Sequence, residues 1–295
     1  MFFGKVCALN GVSLKLRKGE IHSVIGPNGA GKTVMMNCIS GLYRPQLGSI
    51  FFRNQNISAL KTPFWIEAVI KAIENAGGAN VSDAWNHRLA ANLRQKFGRM
   101  GYPPYKRAKL GIARTFQKVE VFGGMSVLDN IRLGRHNHYK SGIVGGSVYL
   151  GQTSREEIEH RRFIEEDIVD LLEIEHIRHK PVGMLPYGLQ KRVELGRALA
   201  LEPELLILDE PLAGLNLEEV EDMARFILDV NEEKRWKVTC LLVEHDMGVV
   251  MDLSDRVFVL NFGNMIVDGT PEEVQNHPEV VKAYLGEEDL YATRR

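Results

Sequence analysis

Only three cysteines occur among the 295 residues, Cys7, Cys38 and Cys240, and no two stand at CxxC spacing. An odd count without paired spacing argues against a disulfide framework and for a reducing compartment. Long apolar runs are missing too. Val238–Val243 is among the longest, far short of the ~18–20 residues that a membrane-spanning helix needs. The start, MFFGKVCALNG, carries no apolar core behind a basic stretch and does not read as a secretion signal. Net charge is nearly absent: 37 basic side chains against 38 acidic ones leave −1. That balance excludes nucleic-acid binding by bulk charge and a strongly acidic disordered tail. No internal repeat or low-complexity stretch interrupts the chain. What remains is an ordinary globular composition, long enough for one large domain or two modest ones.

The hydrophobic pattern is that of an α/β protein. Val12, Leu14 and Leu16 alternate with polar residues, which predicts a half-buried strand. Ile21–Ile25 is a second strand that runs straight into a Gly-rich segment, Gly26–Thr33, followed by a helical pattern over Val34–Ile39. Gly48–Phe52 reads as a further strand. Leu205–Leu208, Val238–Val243 and Val257–Leu260 are near-continuous apolar runs, the form expected when both faces of a parallel sheet are covered. Helices are predicted over Ile164–Leu172 and Gln190–Leu201, and Thr270-Pro271-Glu272-Glu273 opens a last one with a capping box and proline in its first turn. Between residues 63 and 99, apolar residues recur at helical spacing on either side of Ala76–Ala79, predicting a helical hairpin.

Two segments carry chemistry. Gly26-Pro27-Asn28-Gly29-Ala30-Gly31-Lys32-Thr33 fits GxxxxGK[ST], the phosphate-binding loop. Its glycines let consecutive N–H groups curl round phosphate oxygens, and the following helix adds its positive end. Lys32 reaches the β- and γ-phosphates, and the Thr33 hydroxyl is placed to ligate Mg²⁺. In Leu205-Leu206-Ile207-Leu208-Asp209-Glu210, four buried apolar residues end in two acids at the carboxyl edge of a strand, where ligands bind in open α/β sheets. Asp209 is then suited to the Mg²⁺ shell and Glu210 to polarising an attacking water.

With these segments in place, the sequence resembles the nucleotide-binding subunits of ABC transporters over nearly its whole length except the 60–100 hairpin. The resemblance implies a P-loop NTPase with a RecA-like core, a small antiparallel β subdomain and a helical subdomain. Its boundaries are 1–57 for the β subdomain plus P-loop, 58–104 for the hairpin insertion, 118–195 for the helical subdomain, and 196–295 for the core with a C-terminal helix. It implies that Gly26 to Val34 contact ATP, with Phe3 stacking on adenine. Leu185, Pro186, Tyr187, Gly188, Leu189 and Gln190 match the family signature, which closes over the nucleotide of an opposite subunit. Gln117 matches the Q-loop that senses Mg²⁺, Gly214, Leu215 and Asn216 the D-loop, and His245 the switch histidine at the γ-phosphate. Asp209, Thr33 and Gln117 form the implied Mg²⁺ set; Glu210, His245 and Lys32 form the implied catalytic set.

The subfamily it most resembles is the branched-chain amino-acid importer ATPases. The residues responsible are Gly111–Gln117, the Leu-Pro-Tyr-Gly signature, Leu212–Asn216, Val243–Met247 and Ala283–Gly286. The lipopolysaccharide-export ATPase is the rival, with a soluble ABC ATPase acting on nucleic acid or ribosomes as an alternative of another class. The importer reading implies ATP and Mg²⁺, a second ATPase subunit paired head to tail, membrane permease subunits, an extracytoplasmic solute-binding protein acting indirectly, and no nucleic acid. It places the chain in the cytoplasm, peripheral on the inner face of the cell membrane.

Three features depart from the family pattern. Pro186 stands in place of the usual signature serine, Leu189 where a polar residue is commoner, and the first strand of the antiparallel sheet is expected to be missing. The hairpin is the largest departure. From Ala84 to Val119 there are nine bases and no acid: Arg88, Arg94, Lys96, Arg99, Lys106, Arg107, Lys109, Arg114 and Lys118. A solvated face is one explanation; a docking surface for a membrane-subunit loop or anionic headgroups is the other. Conversely, Ala198–Glu233 holds eleven acids and one base, Arg225. His136, His138, His176 and His179 lack acids or cysteines at ligand spacing and are read as solvated loop and helix-end residues.

Overall fold

A computed structural model describes residues 1–58, 68–69, 72, 101–138 and 152–283. The predicted hairpin over 63–99 and the segment Tyr284–Gly286 lie, almost entirely and entirely, outside the described residues. Two compact units divide the chain: Asn37–Arg107 with Met1, and Phe2–Met36 with Ala108–Arg295.

The larger unit is built on a six-stranded sheet. Its elements follow short N-terminal strands β1 (Phe2–Phe3) and β2 (Val6–Cys7), which pair only with each other, antiparallel. Strand β3 (Ile21–Ile25) leads through the Gly-rich loop into α1 (Lys32–Ser40), whose last residues belong to the smaller unit. In that smaller unit β4 (Phe51–Phe52) pairs antiparallel with β5 (Gln55–Asn56), and α2 begins at Pro104 (Pro104–Lys109). Strand β6 (Ile112–Arg114) returns to the sheet. The helices α3 (Val127–Gly134) and α4 (Gln152–Phe163) follow, the latter widening into a π-helical stretch over Ile164–Val169 where a plain helix was predicted. Then come α5 (Tyr187–Leu199), β7 (Leu205–Asp209), α6 (Leu217–Glu232), β8 (Thr239–Val243), α7 (Met247–Leu253), β9 (Arg256–Asn261), β10 (Asn264–Gly269) and α8 (Pro271–Gln275).

The sheet order is β10-β9-β3-β8-β7-β6, parallel except for the terminal β9–β10 hairpin. Strands β3, β7 and β8 are buried at every position, as the near-continuous apolar runs of β7 and β8 require; β3 is buried although His22 and Ser23 stand at its centre. One core forms around Leu206, Leu208, Cys240 and Leu242 with Ile131, Ile168, Val193, Phe226 and Ile227. A second joins Ile25, Val257 and Val259 to Val250 and Val274. The predicted capping box and first-turn proline of α8 are present, with Thr270 accepting from Glu273 N–H.

Val12, Leu14 and Leu16 do not form a ladder. All three are half-buried and alternate with exposed Ser13 and Lys15 as the pattern predicts, but among the described residues no strand pairs with them. Period-two burial needs only extended backbone, whereas a strand needs a partner.

In the smaller unit the predicted basic face is partly internal. Arg107 is buried. Its guanidinium donates to the carbonyls of Cys38 and Ile39 (2.5 Å each), Tyr102 (2.9 Å) and Ile57 (3.1 Å). It thus satisfies the otherwise orphaned carbonyls at the C-terminal end of α1. Gly41 makes room for it: a Cβ there would lie 2.7 Å from Arg107 Nε.

Candidate active site

Strand register assembles the site. Val24 of β3 pairs with Val243 of β8, and Val243 with Asp209 of β7, so the carboxyl ends of three neighbouring strands are level. Whatever follows each strand therefore emerges at one edge of the sheet, the edge where ligands bind in such folds.

The loop after β3 is held by glycine geometry. Gly26 has φ +148°, and a Cβ there would lie 2.0 Å from Leu260 O; Gly31 has φ +104°, with Ala8 O at 2.5 Å from its Cβ position. Gly29 (φ +81°) has no neighbour within 4 Å of that position, leaving open space over the loop. Lys32 is buried, and its ammonium donates to Gly26 O (2.5 Å) and Pro27 O (3.1 Å). The turn closes through Ala30 N–H to Pro27 O, while Gly263 N–H ties the β9–β10 turn to Ala30 O. Asn28 and Thr33 are exposed, and Val34 is half-buried at the start of α1. Phe3 is exposed on β1, in the N-terminal segment whose Ala8 carbonyl abuts Gly31.

Beyond β7 the chain turns sharply. Glu210 has φ +50°, a left-handed conformation that costs a non-glycine residue on the order of 1 kcal/mol or more. Its N–H continues the ladder to Val243 O (2.9 Å). The turn aims the carboxylate at two groups from other strands. Gln117 Nε2 donates to Oε2 at 2.7 Å, and His245 Nε2 lies 2.7 Å from Oε1. The three residues read from sequence as base, Q-loop glutamine and switch histidine thus converge, one partner on each carboxylate oxygen. Asp209, buried, is paired instead with Arg114 of β6 (Nη2–Oδ2 2.8 Å). Arg114 therefore belongs to the site, not to a solvated basic face.

Asp209 carboxylate, Thr33 hydroxyl and Gln117 amide are hard oxygen donors. Among the described residues no cluster of three or more His, Cys, Asp or Glu could hold a metal. One carboxylate with neutral oxygens suits Mg²⁺, which keeps waters and substrate phosphates in its shell rather than a protein cage. The donor set fits that ion. His136 is exposed, as read, and bonds Leu133 O, whereas His138 is half-buried and bonds Leu201 O instead of being fully solvated.

The signature segment opens α5. Leu185 and Gly188 are buried, Pro186 occupies the N-cap without a side-chain acceptor, and Gln190 donates to Leu185 O (2.8 Å). The segments read from sequence as signature and D-loop meet within the chain. The Tyr187 ring lies 3.3 Å from a Cβ position on Gly214, and a Cβ on Gly188 would fall 2.2 Å from Glu219 Oε1. Asn216 caps α6 through a capping box with Glu219. Leu215 is half-buried, and Leu189 is one of the partly buried residues packed on the main core, which accounts for an apolar residue there.

Sequence reasoning did not single out Lys191, Glu194 or Glu244, all buried. Lys191 donates to Glu210 O and Pro211 O; Glu194 accepts from Phe116 and Glu120 N–H; Glu244 accepts from Leu212 and His245 N–H. Burial pushes both carboxyls up and the ammonium down from their ordinary ranges. The available signal was positional. Lys191 and Glu194 fall among the inward-facing residues of α5, and Glu244 ends an apolar strand.

The sequence profile described as ABC transporter matches residues 9–213, and that of the branched-chain amino acid ATP-binding cassette transporter matches 264–289. The high-affinity branched-chain amino acid transport ATP-binding protein LivG of Salmonella typhimurium is 34% identical over 97% of this chain and 95% of its own length. BraF of Pseudomonas aeruginosa, named for the same transport, is 35% identical over 97% and 95%. Among solved structures, the ADP conformation of an ATP-binding cassette of an ABC transporter has a TM-score of 0.70 at 26% identity, covering 97% of this chain and 95% of its own. A nucleotide-free ATP-binding cassette from an ABC transporter gives 0.69 at 26% identity, covering 96% and 95%. Taken with the loop after β3 and the convergence on Glu210, these likenesses show that the chain belongs to the ABC transporter ATPases, in the branched-chain amino acid transport branch.

Proposed function

We propose that the chain couples ATP hydrolysis to solute import, with Glu210 as general base. The observation that carries this reading is the Glu210 carboxylate held between Gln117 and His245 at the edge shared with the Lys32 loop. The loop N–H groups and Lys32 bind the phosphates of ATP. Glu210 orients and polarises a water for in-line attack on the γ-phosphate, and His245 and Lys32 stabilise the charge that develops there. Thr33, Asp209 and Gln117 would hold Mg²⁺, which when bound would supply neutralisation of phosphate charge. Phe3 stacks on adenine.

Two cassettes pair head to tail, each signature segment, Leu185 to Gln190, closing on the other's nucleotide. Pro186 at the N-cap supports that role, because its side chain makes no cap hydrogen bond to the first turn of α5. No helix of the described residues is long and apolar enough to cross a membrane. In this reading separate permease subunits carry the solute, the chain sits on the cytoplasmic face, and a solute-binding protein selects the cargo. Branched-chain amino acids are the cargo class named for the relatives.

The test is affinity purification of the tagged chain from native membranes, followed by uptake in proteoliposomes. Co-purifying permease subunits and ATP-dependent amino-acid uptake are expected. ATPase activity stimulated by RNA or DNA, with no permease retained, would overturn the transport assignment.

A further inference from the structure

Three buried charges surround the backbone of the catalytic convergence, and two of them project from the signature helix. Lys191 lies one turn beyond Tyr187 and is 5% exposed. Its ammonium donates to Glu210 O at 2.9 Å and Pro211 O at 2.8 Å, and stands 5.4 Å from the centroid of the Tyr187 ring. Glu194, one turn further and 4% exposed, accepts from Phe116 N–H (3.2 Å) and Glu120 N–H (3.5 Å) through Oε1. Those two residues bracket Gln117. Glu244, at the end of β8, accepts from Leu212 N–H (2.7 Å) and His245 N–H (3.2 Å). Glu210 and His245 are therefore each tied to a buried charge by a backbone group of their own, and Gln117 by the N–H groups of Phe116 and Glu120 on either side of it.

A small cavity at the junction is lined by Lys191 and Glu194 together with core residues that include Leu195, Leu208 and Met223, and Thr115 Oγ1 beside it is buried without a hydrogen-bond partner. Where packing is incomplete, directional charge-assisted bonds fix the geometry. The bonds also fall where geometry is under strain. Glu210 holds its left-handed φ only if its surroundings over-determine it, and two carbonyls of that turn, Glu210 and Pro211, converge on one ammonium.

We infer that Lys191 and Glu194 are positioning residues that couple the signature helix to the general base of the same chain, so that a movement of α5 shifts Glu210 and Gln117 together. Tyr187, in contact with both Lys191 and the Gly214 position, extends the link to the D-loop. The inference rests on Glu210 acting as base. In the paired arrangement it gives each active site a readout of whether its own signature helix has engaged the partner's nucleotide.

The experiment compares kcat with equilibrium ATP affinity in purified full-length protein. Lys191→Met keeps the stem and removes the donors; Lys191→Arg keeps donors for both carbonyls. Glu194→Leu removes the acceptor; Glu194→Gln keeps one. For Lys191→Met and Glu194→Leu, kcat falls at least about tenfold while the ATP Kd stays within about threefold, and each conservative variant recovers most of the loss. If Lys191→Met does not fold, the Glu194 pair carries the same comparison. The inference is overturned if kcat of a folded Lys191→Met or Glu194→Leu stays within threefold of wild type, or if Kd rises as much as kcat falls. Glu210→Gln measured alongside separates the two ideas. Full activity in Glu210→Gln removes the base itself, whereas loss there with unaffected Lys191 and Glu194 variants removes only the coupling.

Discussion

Replacing Arg114 with methionine isolates the best-defined electrostatic contact of the site. Arg114 and Asp209 are paired at 2.8 Å with side chains 7% and 5% exposed. At an effective dielectric near 20, unit charges about 4 Å apart attract by ~4 kcal/mol. Desolvating both ions offsets much of that gain, so the intact pair adds little net stability. Removing one partner is different, because the aspartate charge is left buried and uncompensated, at a cost of about 3–5 kcal/mol. Arg114→Met is therefore expected to lower unfolding free energy by that amount in urea titrations without nucleotide. Asp209→Asn should cost a comparable amount. The double variant should be more stable than the sum predicts, by about 0.5–3 kcal/mol, the range for residues in direct contact. If both single variants lose under about 1 kcal/mol, or the double variant is additive within about 0.5 kcal/mol, the pair does not hold Asp209 as described.

Two further perturbations test the frame around the site. His22, buried in β3 and stacked on Phe258, accepts from Arg17 N–H, faces Glu20, Asp255 and Arg256, and has a pKa lowered from 6.5 chiefly by burial. A depressed folded pKa means that its contribution is complete above about pH 6.5 and is lost as pH falls through the folded value, by at most ~1.4 kcal/mol per pH unit. His22→Gln should flatten that acid limb in urea titrations from pH 7.5 to 5; parallel curves for the two proteins would refute it. Arg107→Met leaves the carbonyls of Cys38, Ile39, Ile57 and Tyr102 short of a buried donor. It should destabilise the smaller unit by at least about 3 kcal/mol, seen as faster proteolysis within 37–107. Unchanged cleavage would contradict the capping role.

The strands β7, β8 and β9 were legible because they are buried on both faces and leave near-continuous apolar runs. The Gly26–Thr33 loop and Asp209-Glu210 were legible because backbone chemistry restricts what can stand there. The Val12–Leu16 strand failed because alternation reports exposure, while pairing depends on a distant partner. Arg107 and Arg114 were misread as a surface because a one-dimensional count cannot see a helix end or a carboxylate 95 positions away. Lys191 and Glu194 were passed over for a related reason. Pattern reading assigns charge to solvent, yet both lie in the buried stripe of α5, where their partners are backbone groups of other segments.

The Glu210 carboxylate receives Gln117 and His245 and is the centre of the proposed chemistry. The most direct measurement is phosphate release and ATP binding in Glu210→Gln, which keeps the shape and removes the base. Hydrolysis should fall by about 100-fold or more, the range for loss of a general base, with ATP affinity within about threefold and nucleotide-bound dimers accumulating. Hydrolysis within threefold of wild type would contradict the assignment.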